Sequence, residues 1–504
     1  MSKRWMSVAL VAGIAACATM RVQASDWPVF GHDPQRSLVD AGDTILTEAN
    51  VGKLRERWQI NFGPGTTADS TPILIQHVKR DGVVRPMLFQ TAKNGTTLGV
   101  DAITGKIYWQ FLTKGPNNIT TSTPAEDPSG TAIYVPGLDG YVHKLDAATG
   151  RELHAPGFPA RITLDTSREK NASALNLANG YLYATTSGYY GDAPFYDGHV
   201  VAVRLSDGRT HVFNSLCSSY KHLPSSSVCS QSDSGIWGRG GAVVDPDSSM
   251  HGEVYAATGN GQFDANTGGD DYGDSILSLS EDVTTLQSHY TPADFDDLQN
   301  TDTDLGSTSP GLLPRQNASR TPLMLVQGGK DSIFRLLDRS RLPGVGHEMQ
   351  EITLPNRLYA SPAIWTDPSN RVWIYIGLPD ELDSFRLVTD SQGHSRLVQE
   401  WQSNAGSTNG EGTSPVVSNG MVFVAFDNAL FALDALTGHE LWSSAQSSAR
   451  RSIGPVHWES PIVVNGWVYC SDENGNLTAY SLPSEAARRR APHNVRVPIQ
   501  SHNV

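Results

Sequence analysis

Positive charge is in short supply in this 504-residue chain, where 38 Lys and Arg face 52 Asp and Glu for a formal charge of −14. Such an excess repels phosphate backbones and argues against nucleic acid as a partner. Long apolar runs are also missing. Beyond the N-terminal stretch no segment approaches the ~18 apolar residues of a spanning helix, so no transmembrane segment is expected. The chain has no Cys-x-x-Cys-His motif and therefore carries no covalent haem. It has no Gly-x-Ser-x-Gly elbow, phosphate loop or His-Glu-x-x-His either, which leaves hydrolase, nucleotide and zinc-protease chemistry without a foothold.

Cysteine is scarce, with only four in the chain, and their places matter. Lys3 and Arg4 precede the apolar run Met6 to Ala16, the pattern of an export signal covering residues 1–24. Two processing sites compete: Val22-Gln23-Ala24 carries the small residues that a signal peptidase accepts, and Ile14-Ala15-Ala16-Cys17 resembles a lipoprotein box with Cys17 as the lipid anchor. The expected location is therefore periplasmic or secreted, or alternatively the outer membrane as a lipoprotein. Either way Cys217, Cys229 and Cys470 meet an oxidising compartment, and one of the three must stay unpaired. Cys217 and Cys229 flank a Ser-rich loop that a disulfide would close, whereas Cys470 lies in the strand-like Gly466-Trp467-Val468-Tyr469-Cys470.

What the chain does have is glycine (47) and proline (29), together about 15% of its residues, with 38% hydrophobic residues to build a core. That composition suits many short strands joined by turns. The strands come in a repeat. A small residue followed by Pro opens a strand, a turn leads to a second, an Asp/Gly/Asn turn to a third, and Asp-Ala-x-Thr-Gly with a Trp closes the unit. The clearest copy runs from Ser414-Pro415 through Asn419-Gly420, a strong hairpin signal, to Asp434-Ala435-Leu436-Thr437-Gly438 and Trp442.

Related openings fall at Thr71-Pro72, Thr123-Pro124, Ser173-Ala174, Gly240-Gly241, Ser309-Pro310, Ser361-Pro362, Ser414-Pro415 and Ser460-Pro461, which makes eight units. Their spacing is 46 to 53 residues except for 67 and 69 in the third and fourth, which carry insertions of the kind that often form a functional face. Small sheets that are apolar on both sides cannot fold alone, so the expectation is an all-β, eight-bladed β-propeller over residues 25–483. The last unit has only three strands, while an orphan strand, Leu54 to Phe62, precedes the first. Pairing the two would close the ring, which a stacked solenoid would not need. Arg488-Arg489-Arg490 begins an aperiodic, basic tail over 484–504.

On these residues the chain resembles the quinoprotein family, eight-bladed propellers that bind pyrroloquinoline quinone (PQQ) with a metal ion. The resemblance includes Asp26-Trp27-Pro28-Val29-Phe30-Gly31-His32-Asp33-Pro34-Gln35-Arg36-Ser37, then Asn50-Val51-Gly52-Lys53-Leu54 and Trp58, which look like the opening of PQQ alcohol dehydrogenases. It implies cofactor-binding roles for Asp69, Ser187, Trp237 and Lys330. Trp237 would stack on the quinone and Lys330 would face its carbonyls. It also implies that Asn260 in Thr258-Gly259-Asn260 ligates a hard cation such as Ca2+, and that Asp297 is the catalytic base that takes the alcohol proton. As residues alone, Trp237 would serve equally in a core and Asp297 in a solvated acidic loop.

Three departures from the family pattern stand out. No adjacent Cys-Cys pair exists, Tyr190 stands at the metal-binding glutamate position, and the cofactor-contacting arginine of the second blade is absent near Thr121. The stretch Leu298 to Pro314, with Asp302-Thr303-Asp304, looks more like the poly(vinyl alcohol) dehydrogenase branch, in which Asp304 would take part. Separately, Asp264 to Asp274 is oxygen-rich enough to hold Ca2+, though it lacks the distal Glu of an EF-hand. The implied function is an exported PQQ-dependent dehydrogenase that oxidises an alcohol, polyol or sugar hydroxyl and passes electrons to a separate acceptor. The alternative is a non-catalytic propeller that binds other proteins, similar to the outer-membrane assembly lipoproteins.

Overall fold

Asn419 and Gly420 both sit at positive φ, 48° and 77°, the conformation a two-residue hairpin requires. They join Val416–Ser418 to Met421–Phe426 with Ser418 opposite Met421. The same device repeats around the computed structural model, which describes residues 25–189, 195–225, 228–403 and 411–483. Tyr190, the N-terminal segment with Cys17 and Ala24, and the tail 484–504 lie outside the described residues. Among those described, the strands form eight sheets of four strands or more, antiparallel except for two short added strands.

Numbered in chain order, blade 1 holds Ile73–Arg80, Val83–Thr91, Thr96–Asp101 and Ile107–Leu112. Blade 2 spans Ala125–Glu126 to Ala160–Arg161, and blade 3 runs from Asn176–Ala178 to Thr210–Asn214 with Lys170–Asn171 added at one edge. Blade 4 runs from Val243–Val244 to Leu286–Thr291, blade 5 from Gly311–Leu312 to Gln350–Thr353, and blade 6 from Ala363–Thr366 to Ser395–Ser403. Blade 7 comprises Val416–Ser418 to Glu440–Ser443. Blade 8 takes three strands from the C-terminal side, Ile462–Val464, Trp467–Ser471 and Asn476–Ser481, and its outer strand, Arg55–Asn61, from the N-terminal side. Trp58 pairs with Ala479 there, which is the closure expected from the orphan strand.

The repeat signature has a mechanical explanation. Trp58, Trp109 and Trp401 end their blades and each donates its indole N–H to the alanine carbonyl of the next blade's Asp-Ala motif: Ala102 at 3.2 Å, Ala147 at 3.0 Å and Ala435 at 3.1 Å. The rings lie flat against Gly105, Gly150 and Gly438, where a Cβ would come within 2.7, 2.5 and 2.5 Å of the indole. Each of these three blades thus carries the knob for its neighbour's socket. The hydroxyl residues before the prolines link the inner strands: Thr123 Oγ1 accepts the Thr71 N–H at 3.0 Å, Ser414 Oγ that of Ser361 at 2.9 Å, and Ser460 Oγ that of Ser414 at 3.1 Å.

The opening segment ties the blades together at one end of the channel. Trp27 bridges Leu74 of blade 1, the Pro28 carbonyl accepts from Glu126 of blade 2, and the Pro34 carbonyl accepts from Asn176 and Val244 of blades 3 and 4. Ser37 and Leu38 reach blades 6 and 7. Arg36, buried, donates to the carbonyls of Phe30, Leu175 and Gly240, and burial pulls its pKa down to about 9. The expected disulfide, Cys217–Cys229, closes the loop after blade 3, and Cys470 is a free, buried core thiol. No helix of the described residues is long and apolar enough to cross a membrane.

Candidate functional site

The opening segment contacts the inner strands partway along, and the residues just ahead of those strands converge at the other end of the channel. Asp69, Thr121, Ala172, Trp237, Asp304, Tyr359, Glu411 and Trp458, one from each blade's approach, line a cavity of about 440 Å³. Ser187, Asn260 and Lys330 reach it from the ends of later strands.

Trp237 is seated by glycine. A Cβ on Gly259, the glycine of Thr258-Gly259-Asn260, would come within 2.8 Å of the Trp237 Nε1. The indole stacks on Trp458 with centroids 5.6 Å apart and planes at 24°, and the Lys330 ammonium lies 5.1 Å from the Trp237 ring centroid. Lys330 Nζ is held between Asp304 Oδ2 at 2.6 Å and Asp302 Oδ1 at 2.8 Å. Burial works against this ammonium, but Asp304 and Asp302 more than offset it, so its pKa is raised. The other oxygen of Asp304 accepts the Asn260 backbone N–H at 2.7 Å. Asp304 is buried, and burial raises its pKa although Lys330 opposes the shift.

Across the cavity, fully buried Asp69 pairs with Lys93 at 2.9 Å, and His457 lies 3.9 Å from Asp69 and 3.6 Å from Glu411. Burial alone would raise Asp69, and the cations His457 and Lys93 reverse it, leaving the pKa lowered. For His457, burial favours the neutral ring, yet Asp69 and Glu411 push its pKa up to about 10.

Five of the six residues singled out from sequence therefore meet in one cavity: Asp69, Ser187, Trp237, Asn260 and Lys330. Asp297 does not. It lies exposed in the first turn of the helix Phe295–Thr301, where Leu298 is the residue turned inward. The chain reaches the cavity at Asp302, which ends that helix in a left-handed conformation at φ 52°, and Asp304 stands inside instead of Asp297. The reading missed Tyr359, Glu411, His457 and Trp458. These sit two or three residues ahead of Ser361, Ser414 and Ser460, much as Asp69 sits two ahead of Thr71, so the repeat register carried the signal. Lys93 and Lys170 had no such marker.

The oxygen-rich loop uses its carboxylates on backbone N–H groups, one of its own and two at and beside Cys217. Asp264 Oδ1 accepts from Asp271 N, Asp271 Oδ1 from Cys217 N, and Asp270 Oδ2 from Ser219 N, so the loop is braced against the disulfide.

A family profile described as outer membrane protein assembly factor BamB matches residues 40–256 and 391–489. A stretch of 132 residues is 29% identical to the dehydrogenase subunit of a quinone-type alcohol dehydrogenase from Gluconobacter oxydans (strain 621H). That match spans 25% of this chain and only 16% of the relative. Among solved structures, the fold is similar to quinohemoprotein alcohol dehydrogenase ADHIIG from Pseudomonas putida HK5, with a TM-score of 0.66 at 15% identity over 91% of this chain and 80% of that one. It is also similar to a europium-containing methanol dehydrogenase, with a TM-score of 0.61 at 14% identity over 91% and 98% of the two chains.

Proposed function

The chain belongs to the PQQ-type β-propeller family to which the BamB profile also belongs, and from that membership we propose that it is an oxidoreductase that binds PQQ and oxidises an alcohol or sugar hydroxyl, passing electrons to a separate acceptor. The observation that carries this reading is the Trp237 face with the Lys330 ammonium 5.1 Å from its centroid, inside a cavity that gathers cations from several blades. PQQ is a planar aromatic tricarboxylate, and a flat indole surface ringed by Lys93, Lys170, Lys330 and Arg357 fits that shape and charge. Bound there, it would supply a two-electron acceptor.

The chain's own residues would do the rest. Trp237 orients the flat ring, and Lys330 holds positive charge where negative charge grows on reduction. Asp304, raised by burial, is the carboxylate placed to take the hydroxyl proton, and Asp297 lies outside the cavity. The described residues do not make up a Ca2+ site. Asn260 and Asp304 are the oxygen donors at the expected position, Asp304 Oδ2 is already held by Lys330, and the other group at the cavity wall that could gather round an ion, Asp69, His457 and Glu473, has its aspartate paired with Lys93. No step is assigned to a metal.

The alternative, a protein-binding propeller without redox chemistry, is favoured by the BamB description of the matching profile. Titration of the purified protein with PQQ, following tryptophan fluorescence, separates the two. Saturable quenching that weakens in Trp237→Ala supports the oxidoreductase. No saturable quenching at any PQQ concentration, with or without Ca2+, leaves the scaffold. Export completes the proposal, since the Cys217–Cys229 bridge suits an oxidising compartment. The mass of the mature protein distinguishes cleavage after Ala24, lipidation at Cys17 and no processing.

A further inference from the structure

Blades 1, 3, 7 and 8 join their first two strands by the same two-residue turn, and blade 1 does not stop where the others do. In blades 3, 7 and 8 the residue after the turn is paired on both sides, Tyr181 with Ala178 and Arg204, Met421 with Ser418 and Asp434, and Trp467 with Val464 and Ser481. The third strand thus reaches the turn. In blade 1 the turn is Asp81-Gly82, at φ 51° and 77°, but the third strand ends at Asp101, opposite Met87. The pairs Val78–Arg85, Lys79–Val84 and Arg80–Val83 run on past it as a two-stranded overhang of roughly 10 Å.

A ring of blades does not need this extension, and its tip is poorly suited to water. Val83 and Val84 are 52% and 54% exposed although successive strand residues face opposite sides, so the tip is apolar on both faces. Behind it stand cations. Lys79 and Lys106 are exposed, and the charged heads of Arg80, Arg85 and Lys106 lie 4.8, 5.0 and 5.0 Å from the Tyr108 ring centroid. Asp81 answers Arg80 at 3.5 Å and Asp101 answers Arg85 at 3.4 Å, so these four cations face two carboxylates in a chain of formal charge −14.

An apolar tip with cations set behind it matches the surface of an anionic bilayer, where phosphates lie over hydrocarbon. An added protein strand is a poorer match, because the edge that the third strand leaves free is three residues long and ends at Pro86, which has no N–H to offer. The start of the chain arrives at the same place. Asp26 Oδ1 accepts the Gln76 N–H at 2.6 Å, and Gln76 lies in the register shift between Ile75 and Val78 from which the overhang springs. A lipid on Cys17 would therefore hold this face toward a bilayer.

We propose that the blade 1 overhang is a membrane-contact element: Val83 and Val84 enter the interfacial layer of an anionic bilayer, and Lys79, Arg80, Arg85 and Lys106 meet its phosphates. The contact is independent of the PQQ reading, since the cavity opens at the other end of the ring.

The test is flotation of the mature protein, without its first 24 residues, with vesicles of phosphatidylglycerol and phosphatidylcholine in equal parts and with vesicles of phosphatidylcholine alone. Binding to the anionic vesicles should be saturable and should weaken about ten-fold or more in Val83→Ser/Val84→Ser and in Lys79→Glu/Lys106→Glu, with unchanged thermal midpoints. Leu436→Ser, which removes an exposed apolar side chain from a turn of blade 7, should leave binding as it is. A nitrobenzoxadiazole label on Val84→Cys should shift its emission to the blue when anionic vesicles are added, and this readout decides the case where a double variant loses stability. Wild-type binding that is absent, equally strong to phosphatidylcholine alone, or unchanged in both double variants overturns the membrane contact, as does an unshifted label.

Discussion

The backbone N–H of Ser460 donates to Thr71 Oγ1 at 3.2 Å, joining residues 389 apart in sequence. This bond connects the last inner strand to the first, and it is the same contact that Thr123 accepts from Thr71 and Ser414 accepts from Ser361. The ring is closed twice, at its centre by these hydroxyls and at its rim by Arg55–Asn61 pairing with Asn476–Ser481.

Removing residues up to Phe62 should therefore lower the thermal midpoint sharply, since it exposes the edge of blade 8 and takes Trp58 from its socket on Gly105. Thr71→Val, which strands the Ser460 N–H, should destabilise by about 1–3 kcal/mol in denaturant unfolding. A truncated protein with an unchanged midpoint would contradict rim closure.

The tryptophan sockets predict a difference between two glycines that share a left-handed backbone. Gly150 at φ 70° faces the Trp109 ring, whereas nothing lies within 4 Å of a Cβ on Gly180 at φ 81°. Gly150→Ala should destabilise by about 1–3 kcal/mol more than Gly180→Ala, the cost of overpacking added to the same backbone penalty. Equal losses in urea titrations would show that the indole gives way.

Thiol labelling gives a direct count. In the mature protein without its first 24 residues, and without reductant, only Cys470 should react, and only after denaturation, because Cys217 and Cys229 are bonded across 12 residues and Cys470 is buried. Replacing both bridged cysteines by serine should lower stability by up to about 3 kcal/mol, the scale for a loop of this size.

The sign of one pH dependence follows from His457. Its folded pKa, about 10, lies above the ordinary 6.5, so its pairing with Asp69 and Glu411 stabilises fully below pH 6.5 and is lost as pH rises toward 10. The difference in midpoint between the wild type and His457→Gln should shrink steadily across that window. A constant difference would mean that the imidazolium contributes nothing.

If turnover of simple alcohols with PQQ and an artificial electron acceptor is obtained, Asp304→Asn should abolish it while Asp297→Asn, on the exposed helix, leaves it close to wild type. Comparable losses in the two variants would reject Asp304 as the base. PQQ affinity, read from tryptophan quenching, is the control for Asp304→Asn.

The eightfold period, the missing strand and the Cys217–Cys229 loop were legible because each is written within one unit or at the chain's two ends. Ser414-Pro415, Asn419-Gly420 and Asp434-Ala435 each act through turns and hairpins a few residues long. Trp237, Asn260 and Lys330 were legible through short motifs whose glycines seat neighbouring side chains, as Gly259 seats Trp237.

Which carboxylate enters the cavity was not legible. Asp296, Asp297, Asp302 and Asp304 lie within nine residues, and a short helix followed by a left-handed turn at Asp302 decides that Asp297 faces solvent and Asp304 faces Lys330. Sequence alone determined the ring: its period, its strand patterns and the two chain ends that had to meet. Only the tertiary structure decided the electrostatics of its centre, where Lys93, Lys170, Asp304 and His457 converge from different blades. Local propensity shapes each blade independently, but a charge in a closed cavity is set by neighbours brought in from the whole chain.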